Sequence, residues 1–329
     1  METTTDKVLK ALEACDRGYV SGEALANSLS ISRNAVWKHI NKLRRLGYGI
    51  EASTNNGYRL CTAKTSFAAH FVQKEMRYKL EHFEVLKKCE STNAYVKALA
   101  EAGAPSPSAV ATLHQTGGRG RRGRKFFSPE DTGLYISFLL RPNIAAAKSL
   151  EITTAAAVAV ADTLSEFTDK KINIKWVNDV FADGKKVCGI LTEASSDLET
   201  GKLTYAVLGI GINLFMPEQG FPESIAETAG SVFDTPYDCE LKVKLCAKLA
   251  NRICELPYRI GRGAFIDRYR SYSFVAGRNV NLISPTSTRQ ATVIDISDDY
   301  SLLVRFADGK VEKINSGEIS LRPGDSDKW

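Results

Sequence analysis

The chain has no run of about 18 or more apolar residues, so no transmembrane helix is expected. Its start, Met1-Glu2-Thr3-Thr4-Thr5-Asp6, lacks the basic stretch and apolar core of a signal peptide, and a cytoplasmic location is expected. The seven cysteines (15, 61, 89, 188, 239, 246 and 254) are odd in number, and no two are spaced C-x-x-C. That argues against a disulfide framework or a zinc finger and for a reducing compartment. The four histidines (39, 70, 82 and 114) form no metal-spaced pair with each other or with a cysteine, so no dedicated metal cage is expected. What remains is ordinary for a globular protein: 43% hydrophobic and 25% charged residues. A length of 329 residues implies two or three domains. The net charge of +6 is modest, but it is concentrated. Residues 32–60 carry six Lys or Arg against one acid, and residues 119–125 carry five basic groups in seven positions. Two separate basic sites suggest two separate polyanions.

The first basic segment follows a helical pattern. Asp6 to Cys15 predicts a helix with Val8, Leu9 and Leu12 on one face. Ser21 is placed to cap a second helix carrying Ala24, Leu25 and Leu29 inward. After the turn Ser30-Ile31-Ser32, Ser32 is placed to cap a third, in which Val36, Ile40 and Leu43 repeat at i, i+4 and i+7. The other face of this helix shows Arg33, Asn34, Trp37, Lys38, Asn41 and Arg45, donors suited to phosphates and base edges. Beyond Gly47, Ile50–Ser53, the turn Asn55-Asn56-Gly57 and Tyr58–Leu60 predict a β-hairpin. This order resembles a winged helix-turn-helix, and operator DNA is the expected partner. The bland alternative is a small helical packing module with a solvated basic face. Thr62–Ser66 shows no periodicity and reads as a linker.

The second basic segment lies among alternating helices and strands. Ser91-Thr92-Asn93 opens a helix that runs to about Ala102. One of the three polar residues serves as its cap, and the others are free for a ligand. Val110–Leu113 predicts a short strand leading into Gln115 and the run Gly118-Arg119-Gly120-Arg121-Arg122-Gly123-Arg124-Lys125-Phe126. Glycines let the backbone approach a ligand, and arginines between them offer forked donors to phosphate oxygens. Gly118 and Gly123 enclose four residues as in a P-loop, but Arg124 and Lys125 stand where Lys and Ser/Thr belong, which excludes an ordinary Walker A. A disordered basic loop is the competing reading. Gly133–Arg141 predicts a strand, and Ser149–Thr168 an Ala-rich buried helix. Ile172–Asp179 predicts a strand ending in the polar pair Asn178-Asp179, with a hairpin turn at Asp183-Gly184 and a return strand through Lys186 and Gly189. Leu203–Asn213 follows as another strand, whose Gly209-x-Gly211 signals close packing or a kink rather than a dinucleotide loop. Successive strand residues face opposite ways, so only one of Lys185 and Lys186 can face a pocket.

Five blocks now stand in order: Ser91-Thr92-Asn93, the Gly118–Lys125 loop with Ser128-Pro129, Lys175-Trp176-x-Asn178-Asp179, Lys186-x-x-Gly189-Ile190-Leu191 and Gly211-Ile212-Asn213. In order and spacing they resemble biotin–protein ligases, and with the N-terminal segment the match is closest to the bacterial bifunctional ligase/repressor type. The resemblance implies an α+β chain in three parts. These are a winged helix-turn-helix at 1–63, a mixed-sheet catalytic domain of the biotin/lipoate ligase type at 64–273, and an SH3-like β-barrel at 274–329. It implies a biotin site of Ser91, Thr92, Asn93, Gln115, Gly118, Arg119, Gly120, Arg121, Lys186 and Gly189. It implies an ATP and adenylate site of Arg119, Arg121, Arg122, Phe126, Asn178, Asp179, Lys186, Ile212 and Asn213. Lys186, Arg121 and Asp179 would be the catalytic groups, and Ser21, Ser32, Arg33, Asn34, Trp37, Lys38, Asn41 and Arg45 would face DNA. The cofactor would be ATP with Mg²⁺ carried by the nucleotide, biotin being a substrate. The acceptor would be a lysine of a biotin carboxyl carrier protein, and the adenylate-bound form a homodimer. Two positions depart from the family pattern, which often has Trp where Phe126 stands and Pro where Val177 stands. A non-catalytic biotin sensor, an enzyme with a vestigial DNA domain and a lipoate-type ligase are the competing functions.

C-terminal to these blocks, Glu240–Leu256 and Ala264–Tyr272 predict helices. Val280–Ser284, Ala291–Ser297, Ser301–Phe306 and Val311–Ile314 predict strands, with a turn at Asp308-Gly309. No catalytic motif appears there.

Overall fold

In the computed structural model the described residues are 3–15, 18–45, 47–54, 56–61, 67–284 and 287–321, the side chain of Arg45 apart. They form two compact units, Met1–Glu75 with Cys239–Lys244, and Met76–Asp238 with Leu245–Trp329.

In the first unit, α1 (Thr4–Glu13) starts two residues before the expected Asp6. Thr3 is its cap and Asp6 closes a capping box onto it, so Asp6 lies in the first turn instead of opening it. Ser21 caps α2 (Gly22–Leu29), its side chain accepting from Ala24 N–H. Ser32 Oγ accepts from Ala35 N–H at 3.1 Å at the start of α3 (Arg33–Arg45). Each such cap contributes about 1 kcal/mol. Val8, Leu9, Leu12, Leu25, Val36, Ile40 and Leu43 form one buried cluster, with Leu29 packed against it, whereas Ala24, expected inward, is exposed and Ala26 is buried instead. The hairpin β1 (Ile50–Ser53) and β2 (Gly57–Leu60) pairs antiparallel. Gly57 has φ +94°, and a Cβ there would meet Val20 O at 2.2 Å, so the position requires glycine. Arg33, Asn34, Trp37 and Lys38 are exposed on α3. Asn55 of the turn and the Thr62–Ser66 linker lie outside the described residues. A short helix, α4 (Ala69–Glu75), was not foreseen.

The second unit is built on a seven-stranded mixed sheet. Its strands are β3 (His82–Leu86), β4 (Ser108–Thr112), β5 (Gly133–Leu140), β6 (Ile172–Lys175), β7 (Asp179–Ala182), β8 (Lys185–Ser196) and β9 (Leu203–Asn213), in the order β3-β4-β5-β9-β8-β7-β6. Only β3 and β4 run parallel; the other pairs are antiparallel. The expected strand over Ile172–Asp179 divides into β6 and β7, because Lys175 pairs with Asp179 and the chain turns at Trp176–Asn178. Helix α5 (Thr92–Glu101) packs on β4, β5 and β9. The Ala-rich α6 (Ser149–Leu164) packs on β6, β7, β8 and β9. Its small side chains let it lie close to the sheet, and most of it is buried. The short α7 (Glu223–Ala226), α8 (Cys239–Arg259, of which Cys239–Lys244 belongs to the first unit) and α9 (Ile266–Tyr272) follow. No helix among the described residues is long and apolar enough to cross a membrane.

The last strands are β10 (Asn279–Ile283), β11 (Thr288–Ile296), β12 (Leu302–Arg305), β13 (Val311–Ile314) and β14 (Glu318–Leu321). They form an antiparallel sheet in the order β13-β12-β11-β10-β14. Its edge strands do not pair with one another among the described residues, so the fold shown is an open antiparallel sheet, not a closed barrel. This sheet is tied to the seven-stranded one. Trp176 Nε1 donates to Tyr300 O at 2.9 Å, and the Tyr300 hydroxyl donates to Glu151 at 3.4 Å.

Candidate active site

A cleft of about 970 Å³ opens in the second unit. Its walls come from the start of α5, the segment 115–126, the β6–β7 turn, the β7–β8 hairpin, β9 and β14. The chemistry divides into a neutral polar end and a cationic end.

The neutral end is built by the cap of α5. Ser91 caps the helix, leaving Thr92 and Asn93 buried in its first turn. Thr92 N–H donates to Gln115 Oε1 at 2.9 Å, and Gln115 Nε2 donates to Ser128 Oγ at 3.0 Å. Asn93 Nδ2 reaches Leu191 O at 3.3 Å and Glu193 Oε2 at 2.8 Å. Ser137 Oγ lies 2.6 Å from Asn93 Oδ1 and 2.7 Å from Thr92 Oγ1. The Asn93 side chain crosses β9 over Gly209, where a Cβ would lie 2.0 Å from Asn93 Oδ1. Gly211 serves Phe126 in the same way, a Cβ there meeting the ring at 2.5 Å. The Gly-x-Gly of β9 is thus a pair of close-packing positions, as its sequence context suggests.

The segment 118–126 forms a strap with its own cross-strap bonds. Gly120 N–H donates to Arg124 O at 2.7 Å and Phe126 N–H to Gly118 O at 2.9 Å, and Arg119 bridges Lys125. Arg122 (φ +56°) and Gly123 (φ +73°) make its turn. Arg121 Nη1 donates inward to Asn178 Oδ1 at 3.2 Å. Arg119 lies 3.5 Å from Glu90, and Arg124 pairs with Glu318 of β14 at 2.6 Å.

The cationic end gathers around Asp179. Lys186 Nζ lies 2.7 Å from Asp179 Oδ1. Both Lys185 and Lys186 line the cleft, contrary to the strand-alternation expectation; Lys185 Nζ donates to Glu227 O on the rim, while Lys186 joins the Asp179 cluster. Backbone bonds from Lys186 N–H to Thr228 O (2.8 Å) and from Gly230 N–H to Lys186 O (2.9 Å) hold the strand in place. Burial pushes the Lys175 ammonium below its ordinary value, Asp179 opposing the shift and Lys186 adding to it. Burial also lowers the Arg121 guanidinium, again against the pull of Asp179. Lysines and an arginine facing one carboxylate leave an excess of positive charge in a partly desolvated place, which suits a phosphate.

The cleft therefore gathers Ser91, Thr92, Asn93, Gln115, Arg119, Gly120, Arg121, Arg122, Phe126, Asn178, Asp179, Lys186 and Gly189. It does not gather Gly118, Ile212 or Asn213. Gly118 sits where the strap legs meet, a Cβ there touching Phe126 O at 2.5 Å. Ile212 is fully buried, and Asn213 Nδ2 donates to Gly230 O at 3.2 Å. Sequence reasoning did not single out Lys175, Trp176 or Glu318, which line the cleft, nor Ser137 and Glu193, which lie outside the lining and hydrogen-bond to Asn93. Ser137 carried a signal, being a hydroxyl in a strand buried along its whole length. Ser21, Ser32, Arg33, Asn34, Trp37, Lys38 and Asn41 lie in the first unit, where Ser21 and Ser32 are helix caps.

Comparison with known proteins agrees with this division. Residues 85–213 match the Biotin/lipoate A/B protein ligase family, 5–59 an HTH domain and 275–322 the biotin protein ligase C-terminal domain. The chain is 31% identical over 315 residues to the bifunctional ligase/repressor BirA of Bacillus subtilis, covering 92% of this chain and 94% of that one. To the protein of the same name from Escherichia coli it is 30% identical over 311 residues, 92% of each. Biotin protein ligase from Aquifex aeolicus, solved with biotin and ATP, superposes with a TM-score of 0.60 at 28% identity, over 74% of this chain and 99% of that one. Relatives aligned over nearly the whole length, catalytic and DNA-binding parts alike, place the chain in the biotin/lipoate A/B protein ligase family, among the bifunctional ligase/repressors.

Proposed function

We propose that this chain makes biotinyl-5′-AMP from biotin and ATP, transfers biotin to a lysine of a biotin carboxyl carrier protein, and represses biotin genes when adenylate-bound. The observation that carries the ligase reading is the division of one cleft into a neutral polar end (Thr92, Asn93, Gln115) and a cationic end (Lys186, Lys175 and Arg121 around Asp179). That layout fits an acid whose far end is a neutral polar ring and whose carboxylate is joined to a nucleotide phosphate.

The biotin carboxylate attacks the α-phosphate, and pyrophosphate leaves. The carrier lysine then attacks the mixed anhydride, and AMP leaves. Neither step needs a covalent enzyme intermediate, so catalysis is positioning and charge stabilisation. Lys186 faces the carboxylate and α-phosphate. Arg121, Arg119 and Arg122, with strap N–H groups, hold the phosphates, and Phe126 walls the biotin tail. Asp179 and Asn178 offer one carboxylate and one amide oxygen. That set fits Mg²⁺ arriving on the nucleotide, and the ion would neutralise phosphate charge there. Asn213 gives one amide proton to Gly230 O, which leaves its Oδ1 and second N–H for the adenine edge.

We assign three functional modules: 1–63 for DNA, 64–273 for catalysis and 274–329 as an SH3-like accessory part. The order of the last sheet, a four-strand meander with the fifth strand beside the first, supports the third. A repressor of a two-fold operator acts as a dimer. We take adenylate binding on the strap to favour that dimer.

Pyrophosphate exchange with biotin and with lipoate, side by side, tests the ligase reading. Exchange is expected with biotin and at least about 100-fold less with lipoate, which lacks a ring able to pair with the neutral end. Equal rates would point to a lipoate-type enzyme, and no exchange with either to a sensor. For the DNA part, Arg33→Ala with Lys38→Ala is expected to cut operator affinity about 10-fold or more and flatten its salt dependence, with ligation unchanged. Titration of operator DNA at two salt concentrations checks this, and unaltered binding would return α3 to a packing role.

A further inference from the structure

The neutral end of the cleft has a definite polarity, and residues behind the wall set it. Asn93 Nδ2 faces two groups that can only accept, Leu191 O at 3.3 Å and the Glu193 carboxylate at 2.8 Å. Both amide protons are thereby used, and the amide cannot be flipped without turning its oxygen onto a carboxylate. Asn93 Oδ1 receives the proton of Ser137 on one lone pair and keeps the other. With the Ser137 proton so committed, the Thr92 hydroxyl proton points inward to Ser137 or to Gln115 Oε1, and its lone pairs point out. Gln115 is fixed the opposite way. Its Oε1 is held by Thr92 N–H, and of its two amide protons one goes to Ser128, leaving the other as a donor.

We propose that Glu193 and Ser137 are positioning residues that hold Asn93 and Thr92 as acceptors beside the Gln115 donor, so that the wall is complementary to a cyclic urea: two N–H groups and one C=O. Neither acts on the reacting atoms; both act through Asn93 and Thr92. This rests on the biotin reading above and names the device behind its selectivity. Glu193 stands 100 residues from Asn93 and Ser137 44, and the three meet only because Gly209 opens a path across β9. A carboxylate spent on holding a neutral amide has no other hydrogen-bond partner among the described residues.

The test is pyrophosphate exchange by the full chain with biotin, with desthiobiotin, which keeps the urea ring, and with varied ATP. Glu193→Ala is expected to raise KM for biotin and for desthiobiotin by about 10- to 100-fold, with kcat and the KM for ATP within about threefold of the parent. Glu193→Gln, whose Oε1 can still accept from Asn93, is expected to restore most of the loss. Ser137→Ala removes one hydroxyl from the same relay and is expected to move the same KM values in the same direction, which keeps the test open if Glu193→Ala folds poorly. Biotin KM within threefold of the parent in both alanine variants, or an equal rise in the KM for ATP, would overturn the proposal. Failure of the parent chain itself to exchange with biotin would instead remove the reading on which it rests.

Discussion

Lys186→Ala is expected to lower biotin-dependent pyrophosphate exchange by about 10²- to 10³-fold, mostly in kcat. The reason is where charge develops. As a carboxylate attacks the α-phosphate, negative charge gathers on oxygens that a fixed cation can stabilise more in the transition state than in the substrate. Lys186 Nζ is held 2.7 Å from Asp179, so it is poised without being free to wander. The side chain is 37% exposed and makes one ion pair, and its removal leaves Asp179 still facing Lys175 and Arg121, so the thermal midpoint should hardly move. Lys185→Ala is the control. That lysine reaches Glu227 O, away from the cluster, and exchange should survive. Near-parental exchange by Lys186→Ala would remove it from the chemistry.

Gly209→Ala should be nearly as damaging, through binding instead of chemistry. A methyl group there would lie 2.0 Å from Asn93 Oδ1 and 2.8 Å from its Cγ, far inside contact distance. The neighbours cannot give way cheaply, because β9 is paired on both sides, with β5 and β8. The Asn93 side chain is therefore driven out and loses its bonds to Leu191 O, Glu193 and Ser137 at once. Overpacking of this kind costs about 1–3 kcal/mol, and unmade buried hydrogen bonds add a similar amount. Calorimetric titration should show biotin affinity reduced by about 100-fold or more, with ATP binding much less affected. Unchanged biotin affinity would mean that Asn93 does not line the ring site.

The parts of this protein that were legible in the sequence are those whose signals are local. The N-terminal helices and hairpin follow from caps at Ser21 and Ser32, the i, i+4, i+7 spacing of Val36, Ile40 and Leu43, and a glycine turn at Gly57. The strap was legible as composition, and Lys186 as one of two adjacent strand lysines. What could not be read is what depends on partners far apart. Composition does not show the cross-strap bonds between Gly118 and Phe126 and between Gly120 and Arg124. Strand β3 pairs parallel at a sheet edge and has only partly buried residues, so it carries no clean alternation. Strand β14 is four residues long, yet it brings Glu318 to Arg124 on the strap. The relay of Ser137, Asn93 and Glu193 joins β5, α5 and β8, and no local window contains it. Asn213 is assigned to a ligand by resemblance alone; the bond from its Nδ2 to Gly230 O is another long-range contact that no local window contains.

We place a glycine-spaced strap over an activated acid, with one hairpin ammonium at the bond being made. A crystal structure of the full chain with a non-hydrolysable biotinyl-AMP analogue tests it most directly. The account predicts Lys186 Nζ within hydrogen-bond reach of the acyl-phosphate oxygens, Arg121 on the phosphate, and the urea ring against Thr92, Asn93 and Gln115. An analogue bound elsewhere, or bound in the cleft with residue 186 and the strap turned away from it, would contradict the account.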